Sequence, residues 1–161
     1  VWGLFGLLAL TRRPGRGFSV ALCPLGVALL VGAVIPARVV DSKQPQAFID
    51  DVRQPLADSR YIFTNSVGVA AGIAWEMRRS DIQLYGQAGE LRYGLNYPDV
   101  HDRYLRPSRF AAWLAEHRRQ GKVSLLLVVS NPDELHALTP PPADRLTRRG
   151  RFVLLEYDAR P

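Results

Sequence analysis

The sequence predicts apolar membrane helices over residues 1–37 and then a small α/β domain over residues 38–161, with a mixed sheet and helices on both faces. Three observations predict this class. Residues 18–35 carry no charge and are long enough to span a bilayer. Acidic residues are absent from residues 1–40 and frequent afterwards. After residue 40, patterns typical of short strands alternate with patterns of amphipathic helices.

The apolar part predicts one complete transmembrane helix over residues 18–35. Residues 1–10 are apolar but too short to cross as a helix, so we interpret them as the end of a truncated preceding helix. Residues 11–17 carry three arginines, and the positive-inside rule assigns this turn to the cytoplasm and the domain to the outside. A secretory signal peptide is the alternative. The apolar stretch upstream and the long apolar core favour the transmembrane interpretation.

The charge distribution argues against a nucleic-acid-binding protein, and the cysteine content excludes a disulfide-stabilised domain. The net charge is +6, but four arginines lie within residues 1–40, which leaves 17 basic and 15 acidic residues in the rest. No basic stripe with interleaved aromatic residues occurs, so the sequence does not indicate a nucleic-acid-binding protein. The single cysteine, Cys23, lies in the apolar run and cannot form an intramolecular disulfide. The domain must therefore be stabilised by its own core.

The first half of the domain reads as a helix followed by the start of a βαβ unit. Residues 46–57 have helical periodicity, and the predicted buried face is Ala47, Phe48, Val52 and Leu56. Residues 61–64 then form a strand, Asn65 and Ser66 cap a helix, and that helix covers residues 67–77. Gly68 and Gly72 lie on one side of it, which predicts its close approach to the sheet.

The second half begins with a predicted hairpin, formed by strands at 82–85 and 90–95 around a turn at 86–89. A helix is expected from Ser108 to a stop at Gly121, and its apolar face is Phe110, Trp113, Leu114 and His117.

The last segments predict a central strand and its neighbours. Residues 123–129 are almost entirely aliphatic, as in a strand covered on both faces. Asn131 caps a short helix to residue 138, the proline-rich residues 139–149 form a loop, and residues 151–157 form the last strand.

Four residues are candidate ligand contacts. Asn65 and Ser66, at the start of a helix, could present backbone N–H groups to a phosphate or sugar hydroxyl, although capping alone also explains them. Tyr97 and Arg103 belong to a stretch rich in aromatic residues and arginine, which also contains Tyr93, Tyr104, Arg92 and Arg106. Such a surface suits saccharide or lipid head groups. Ordinary packing and solubility are the simpler explanation of these residues.

No catalytic or metal-binding group is assigned from the pattern. Asp99, His101 and Asp102 have ligand-like side chains, but no second anchor for a metal is identifiable, so a solvated loop is favoured. No Ser-His-Asp or Cys-His arrangement is recognisable.

Five patches are recognisable as a set: 41–48 (DSKQPQAF), 59–76 (SRYIFTNSVGVAAGIAWE), 79–81 (RSD), 89–94 (GELRYG) and 97–100 (YPDV). In this order they resemble the C-terminal end of the lipid A 4-amino-4-deoxy-L-arabinose transferases. The resemblance extends over essentially the whole chain and is weakest after Ser130.

The resemblance implies a polytopic glycosyltransferase of the bacterial inner membrane, with this domain in the periplasm. It implies transfer of aminoarabinose from undecaprenyl phosphate to lipid A, which lowers sensitivity to polymyxin and other cationic peptides. In that family the catalytic carboxylate and any divalent metal belong to earlier segments, so neither a catalytic residue nor a cofactor is expected here. The alternative is a membrane-anchored periplasmic module that binds an anionic glycolipid or a protein partner.

Overall fold

The computed structural model describes residues 28, 30, 44–97 and 100–160. The predicted truncated helix (1–10), cytoplasmic turn (11–17) and transmembrane helix (18–35) therefore lie outside the described residues, except for residues 28 and 30, which are helical. Within the described part of the chain, no helix is both long and apolar enough to cross a membrane.

Helices and short strands alternate along residues 44–160. In chain order, the helices and strands are α1 (Gln46–Asp51), α2 (Arg53–Ala57), β1 (Tyr61–Thr64), α3 (Val67–Met77), β2 (Gln83–Tyr85), β3 (Tyr104–Leu105), α4 (Pro107–His117), β4 (Val123–Val128), α5 (Pro132–Ala137), β5 (Arg145–Arg149) and β6 (Phe152–Tyr157). Short 3-10 helices cover Gly89–Arg92, Gly94–Asn96, His101–Arg103 and Arg118–Gln120.

The strands form one six-stranded sheet in the order β3-β2-β1-β4-β6-β5. The four strands β1 to β4 are parallel, whereas β6 is antiparallel to both β4 and β5. Strands β2 and β3 therefore lie on one side of β1, and β4 lies on its other side. The predicted mixed sheet is confirmed, and the carboxyl ends of β1 and β4 mark the point where the strand order reverses.

Helices α1, α2 and α3 cover one face of the sheet. Phe48, Leu56 and Ile73 are buried in a core that they share with the sheet residues Ile62 and Leu126. The rings of Phe48 and Phe152 stack with their centroids 5.7 Å apart, so α1 is anchored on the end of β6.

Helices α4 and α5, with the residue that follows α5, cover the opposite face. Phe110 of α4 packs edge-to-face against Phe63 and Tyr85, at centroid distances of 5.4 and 5.1 Å. Leu135 and Leu138 pack against the same core. Both faces of the sheet are thus covered by helices, as the sequence predicted.

Strand β4 is the buried centre of the sheet. The side chains from Val123 to Leu127 are fully inaccessible to solvent, and the strand pairs with β1 on one edge and β6 on the other. Its one hydroxyl, on Ser124, is hydrogen-bonded to Ser59 Oγ at 2.7 Å, which satisfies a polar group that burial would otherwise penalise. The predicted central strand is confirmed.

The predicted hairpin is wrong. Residues 90–95 form 3-10 turns instead of a strand, and β2 pairs in parallel with β1 and β3. The alternation of Leu91, Tyr93 and Leu95 resembled a strand, but both edges of β2 are already occupied. No edge remained for a hairpin partner.

The predicted loop over residues 139–149 is wrong in its second half. Residues Arg145–Arg149 form the edge strand β5, which pairs with β6 through a turn at Gly150 (φ +59°). The consecutive prolines end at Pro142, so they prevent a strand only in the first half. The exposed, arginine-rich sequence of β5 is typical of an edge strand.

Three details of the predicted helices also differ. Gly72 faces α1, since a Cβ there would lie 3.3 Å from Ile49 Cδ1, whereas Val69 and Ile73 are the buried residues of α3. The helix predicted at 46–57 divides at Val52 into α1 and α2, and Ala47 is exposed while Ile49 is buried.

The fold predicts a loss of stability at alkaline pH. Burial raises the pKa of Tyr85 from 10.0 to about 12, and its hydroxyl donates to the Leu138 carbonyl at 2.6 Å. A phenol with a raised folded-state pKa contributes stability that is complete below pH 10 and is lost as the pH rises towards 12. We expect about 2–3 kcal/mol to be lost over that interval through Tyr85.

Urea unfolding of the chain at a series of pH values measures this loss. Tyr85→Phe should flatten the alkaline decline, with the remaining slope due to Tyr157, whose pKa is also raised by burial. Tyr93→Phe, on the surface, is the matched control and should leave the profile unchanged. An identical slope in the Tyr85→Phe variant would contradict the assignment.

Candidate functional site

A polar crevice lies where the strand order reverses, beyond the carboxyl ends of β1 and β4. In open α/β sheets, ligands bind at this point because the connections leave in opposite directions and separate. The crevice has a volume of about 320 Å³. Its walls are formed by Asn65, Ser66, Val67, Gly68, Gln87, Gly89, Glu90, Val128, Ser130, Glu134 and Arg151.

Asn65 forms the floor of the crevice and is 5% exposed. Its Nδ2 donates to the Val128 carbonyl at 3.0 Å, and its Oδ1 accepts the Val128 N–H at 2.8 Å. The amide thus pairs with β4 as a further backbone residue of β1 would. Both hydrogen-bonding groups of the side chain are used to hold the two strand ends together.

Ser66 begins α3. Its Oγ accepts the Val69 N–H at 3.4 Å, and its own N–H donates to Thr64 Oγ1 at 3.3 Å. The Ser66 hydroxyl is therefore the N-cap of the helix, as the sequence predicted. The positive end of the α3 dipole faces the crevice.

The charged side chains of the crevice differ in how they are used. Glu134 accepts the Ser130 N–H, and its backbone N–H donates to Asn131 Oδ1 at 2.8 Å, so it serves the capping of α5. Arg151 lies with its guanidinium 5.8 Å from the Phe152 ring centroid. Its Nε is buried and has no hydrogen-bond partner among the described residues. Arg151 thus carries a buried, unsatisfied donor at the wall of the crevice.

A second depression adjoins the crevice, and Gln87 and Gly89 line both. We call it the arginine cleft; its volume is about 660 Å³. It is lined by Gly86, Gln87, Ala88, Gly89, Arg92, Leu95, Asn96, Tyr104 and Arg106. The Tyr104 hydroxyl donates to the Gly86 carbonyl at 3.1 Å, which fixes the cleft wall to the end of β2.

The chain matches the family described as "Arabinosyl transferase ArnT, C-terminal domain" over residues 40–156. It belongs to that family. The match covers β1 to β5 and all of β6 except Tyr157, and it confirms the family resemblance read from the sequence.

Relatives with high identity carry one common description, undecaprenyl phosphate-alpha-4-amino-4-deoxy-L-arabinose arabinosyl transferase. The protein of Edwardsiella ictaluri is 50% identical over 163 residues, which cover 100% of this chain and 29% of the relative. Transferase 2 of Sodalis glossinidius is 52% identical over 161 residues, covering 99% of this chain and 29% of the relative. The chain therefore spans under a third of the length of these relatives. No solved structure matches the chain significantly.

The four predicted contact residues do not form one site. Asn65 and Ser66 line the crevice. Tyr97 is 53% exposed and its ring lies 5.9 Å from that of Tyr93, while Arg103 donates to the Ser80 carbonyl. Neither Tyr97 nor Arg103 lines the crevice or the arginine cleft. Ligand binding by these residues stays a prediction.

Among the described residues, no three His, Cys, Asp or Glu side chains are grouped as a metal site. Asp99, one of the candidates, lies outside the described residues. His117 lies on the predicted face of α4, where its ring stacks on Trp113 at 4.3 Å and its Nδ1 is 2.9 Å from the Trp113 carbonyl oxygen.

Sequence reasoning missed Gln87 and Arg151. Gln87 follows β2, and the incorrect hairpin hid that β2 is a parallel strand whose end belongs to the carboxyl edge of the sheet. Arg151 lies at the turn between β5 and β6, whereas the sequence predicted it only as the first residue of the last strand. If β2 had been assigned as a parallel strand, Gln87 would have been identified as a residue at the carboxyl edge of the sheet.

The hydrogen bonds of the Asn65 side chain predict that removing this side chain lowers the stability of the domain. Asn65→Ala leaves the Val128 N–H and C=O without their partners, and we expect about 2 kcal/mol of destabilisation. Ser66→Ala removes only the helix cap and should cost about 1 kcal/mol. Urea unfolding of both variants measures the difference. Equal stability of the Asn65→Ala variant and the parent chain would contradict this role of the amide.

Proposed function

We propose that this chain is part of an inner-membrane enzyme that transfers 4-amino-4-deoxy-L-arabinose from undecaprenyl phosphate to lipid A. The observation that carries the proposal is the identity of about half of all positions with named arabinosyl transferases along the whole chain. The donor is part of the relatives' description, and lipid A as the acceptor follows from the family resemblance.

The domain is proposed to lie in the periplasm and to position substrate or stabilise the enzyme, without taking part in the chemistry. Its most buried site residue, Asn65, is fully hydrogen-bonded to β4, and Glu134 is engaged in capping. An amide is neither a general acid nor a general base, and the Glu134 carboxylate already accepts the Ser130 N–H. Any divalent metal would belong to the rest of the enzyme.

The transfer has a direct electrostatic consequence. Aminoarabinose brings an amine, which is positively charged at neutral pH, to a phosphate-bearing lipid. The added charge weakens the attraction of the lipid for cationic peptides such as polymyxin.

A membrane-anchored binding module is the second candidate, and the arginine cleft favours it. A cleft with Arg92 and Arg106 on its walls suits phosphate groups whether or not an enzyme is attached. The coding sequence upstream of Val1 discriminates the two. Several hundred codons for further membrane helices support the transferase, whereas a nearby start codon supports the module.

A chimera tests the transferase proposal. The segment of the Edwardsiella ictaluri transferase that aligns with this chain is replaced by this chain and expressed in a strain without its own transferase. We expect aminoarabinose on lipid A, detected by mass spectrometry as the added mass of one sugar, because half of the positions are already identical.

Two controls complete the chimera experiment. The same relative with the aligned segment deleted should modify no lipid A, and this chain alone should transfer no sugar from undecaprenyl phosphate-aminoarabinose. A chimera that reaches the membrane at normal abundance but leaves lipid A unmodified contradicts the proposed equivalence. Turnover by the chain alone contradicts its non-catalytic role.

A further inference from the structure

Three exposed apolar side chains lie close together in the segment 89–97. Leu91 is 45% exposed, Tyr93 77% and Tyr97 53%. Leu91 lies in a 3-10 helix without a buried residue, and Tyr93 and Tyr97 flank a second such helix, so these exposed side chains do not contribute to the core. Grouped exposure of this kind marks an interaction surface, in contrast to the single exposed Trp75 on α3.

The side chains of the segment are of the type found at the boundary between water and lipid. Tyrosine combines an apolar ring with a polar hydroxyl, and it is enriched at the head-group level of membranes. The Tyr93 and Tyr97 rings meet edge-to-face, so they present one joint surface.

Positive charge lies directly beside this surface. Arg92 stands between Leu91 and Tyr93 in sequence and lines the arginine cleft together with Arg106. Among the described residues, no carboxylate forms an ion pair with either arginine. Glu90 is the acidic residue of the segment. Arginines at such a position attract the phosphates of anionic lipids.

The length of the linker brings a bilayer within reach. Ten residues, 36–45, separate the predicted transmembrane run from the start of α1. Ten residues span at most about 35 Å. A membrane anchor would therefore keep the domain at a high effective concentration near the lipid surface.

We propose that the segment 89–97 and the arginine cleft form a docking surface for the anionic head-group layer of a lipid bilayer. Leu91, Tyr93 and Tyr97 enter the interface, while Arg92 and Arg106 bind lipid phosphates. The proposal rests on the membrane location argued above. It does not depend on sugar transfer.

The test measures how close the segment lies to lipid in the full chain. The chain, with Cys23→Ser, is reconstituted in nanodiscs of phosphatidylcholine alone or of equal parts phosphatidylcholine and phosphatidylglycerol, with a quencher attached to a fraction of the lipid. A fluorophore is placed at Gly94→Cys, where a Cβ meets no atom within 4 Å. The control label is at Ala57→Cys, an exposed position before the amino end of β1.

We expect strong quenching at position 94 in the nanodiscs with phosphatidylglycerol, and weak quenching at position 57 in both. Each interfacial arginine contributes about a fivefold preference for an anionic surface. The pair Arg92→Gln and Arg106→Gln should therefore shift the docked equilibrium roughly 30-fold towards the undocked state. The matched control, Arg145→Gln with Arg148→Gln on β5, removes the same charge elsewhere and should leave the quenching at position 94 intact.

Two results overturn the proposal. One is equal quenching at positions 94 and 57. The other is quenching at position 94 that does not depend on phosphatidylglycerol or on Arg92 and Arg106. Circular dichroism of each variant verifies that the fold is retained. Because no transferase reaction is measured, failure here is distinct from failure of the chimera.

Discussion

The common ending of β1 and β4 is the constraint on which the carboxyl edge of this domain depends. Backbone pairing joins Tyr61–Thr64 to β4 as far as Leu126, and the Asn65 amide then continues the ladder to Val128. Because the side chain of Asn65 makes the hydrogen bonds that a further strand residue would make, the backbone is free to turn immediately into α3. The helix N-terminus, Gln87 after β2 and Arg151 before β6 are thereby brought around one crevice.

Arginines are used differently at the two edges of the sheet. At the amino edge, Arg79 donates to the carbonyls of Ser59 and Arg60, at 2.7 and 3.0 Å, and to both carboxylate oxygens of Asp81. These bonds hold the pKa of Asp81 below its usual value. At the carboxyl edge, Arg92, Arg106 and Arg151 have no such carboxylate partner among the described residues. Depressions lie at both edges, because one of about 680 Å³ at the amino edge is lined by Arg60, Arg79 and Lys122. The depressions at the carboxyl edge lie where α/β folds place their ligands.

The sequence predicted those features that follow from local pattern. The aliphatic run of β4, the cap at Ser66 and the apolar face of α4 each depend on a few neighbouring residues, and all three are confirmed. The errors concern strand pairing. Leu91, Tyr93 and Leu95 alternate as a strand would, but whether an alternating segment joins the sheet depends on which edges distant strands leave open. The crevice was only half predicted for the same reason, because Gln87 and Arg151 reach it through pairings of β2 and β6.

The shared wall between the two depressions connects the proposed docking with the proposed function. Gln87 and Gly89 line both the crevice and the arginine cleft, and the exposed segment begins at Gly89. A surface formed by Leu91, Tyr93 and Tyr97 at a bilayer would direct the carboxyl edge of the sheet towards the head groups. Both proposed substrates of the transferase are lipids whose reacting groups lie in that layer. A domain that takes no part in the chemistry, as proposed, would in this way contribute to transfer by holding its polar crevice where those groups are found.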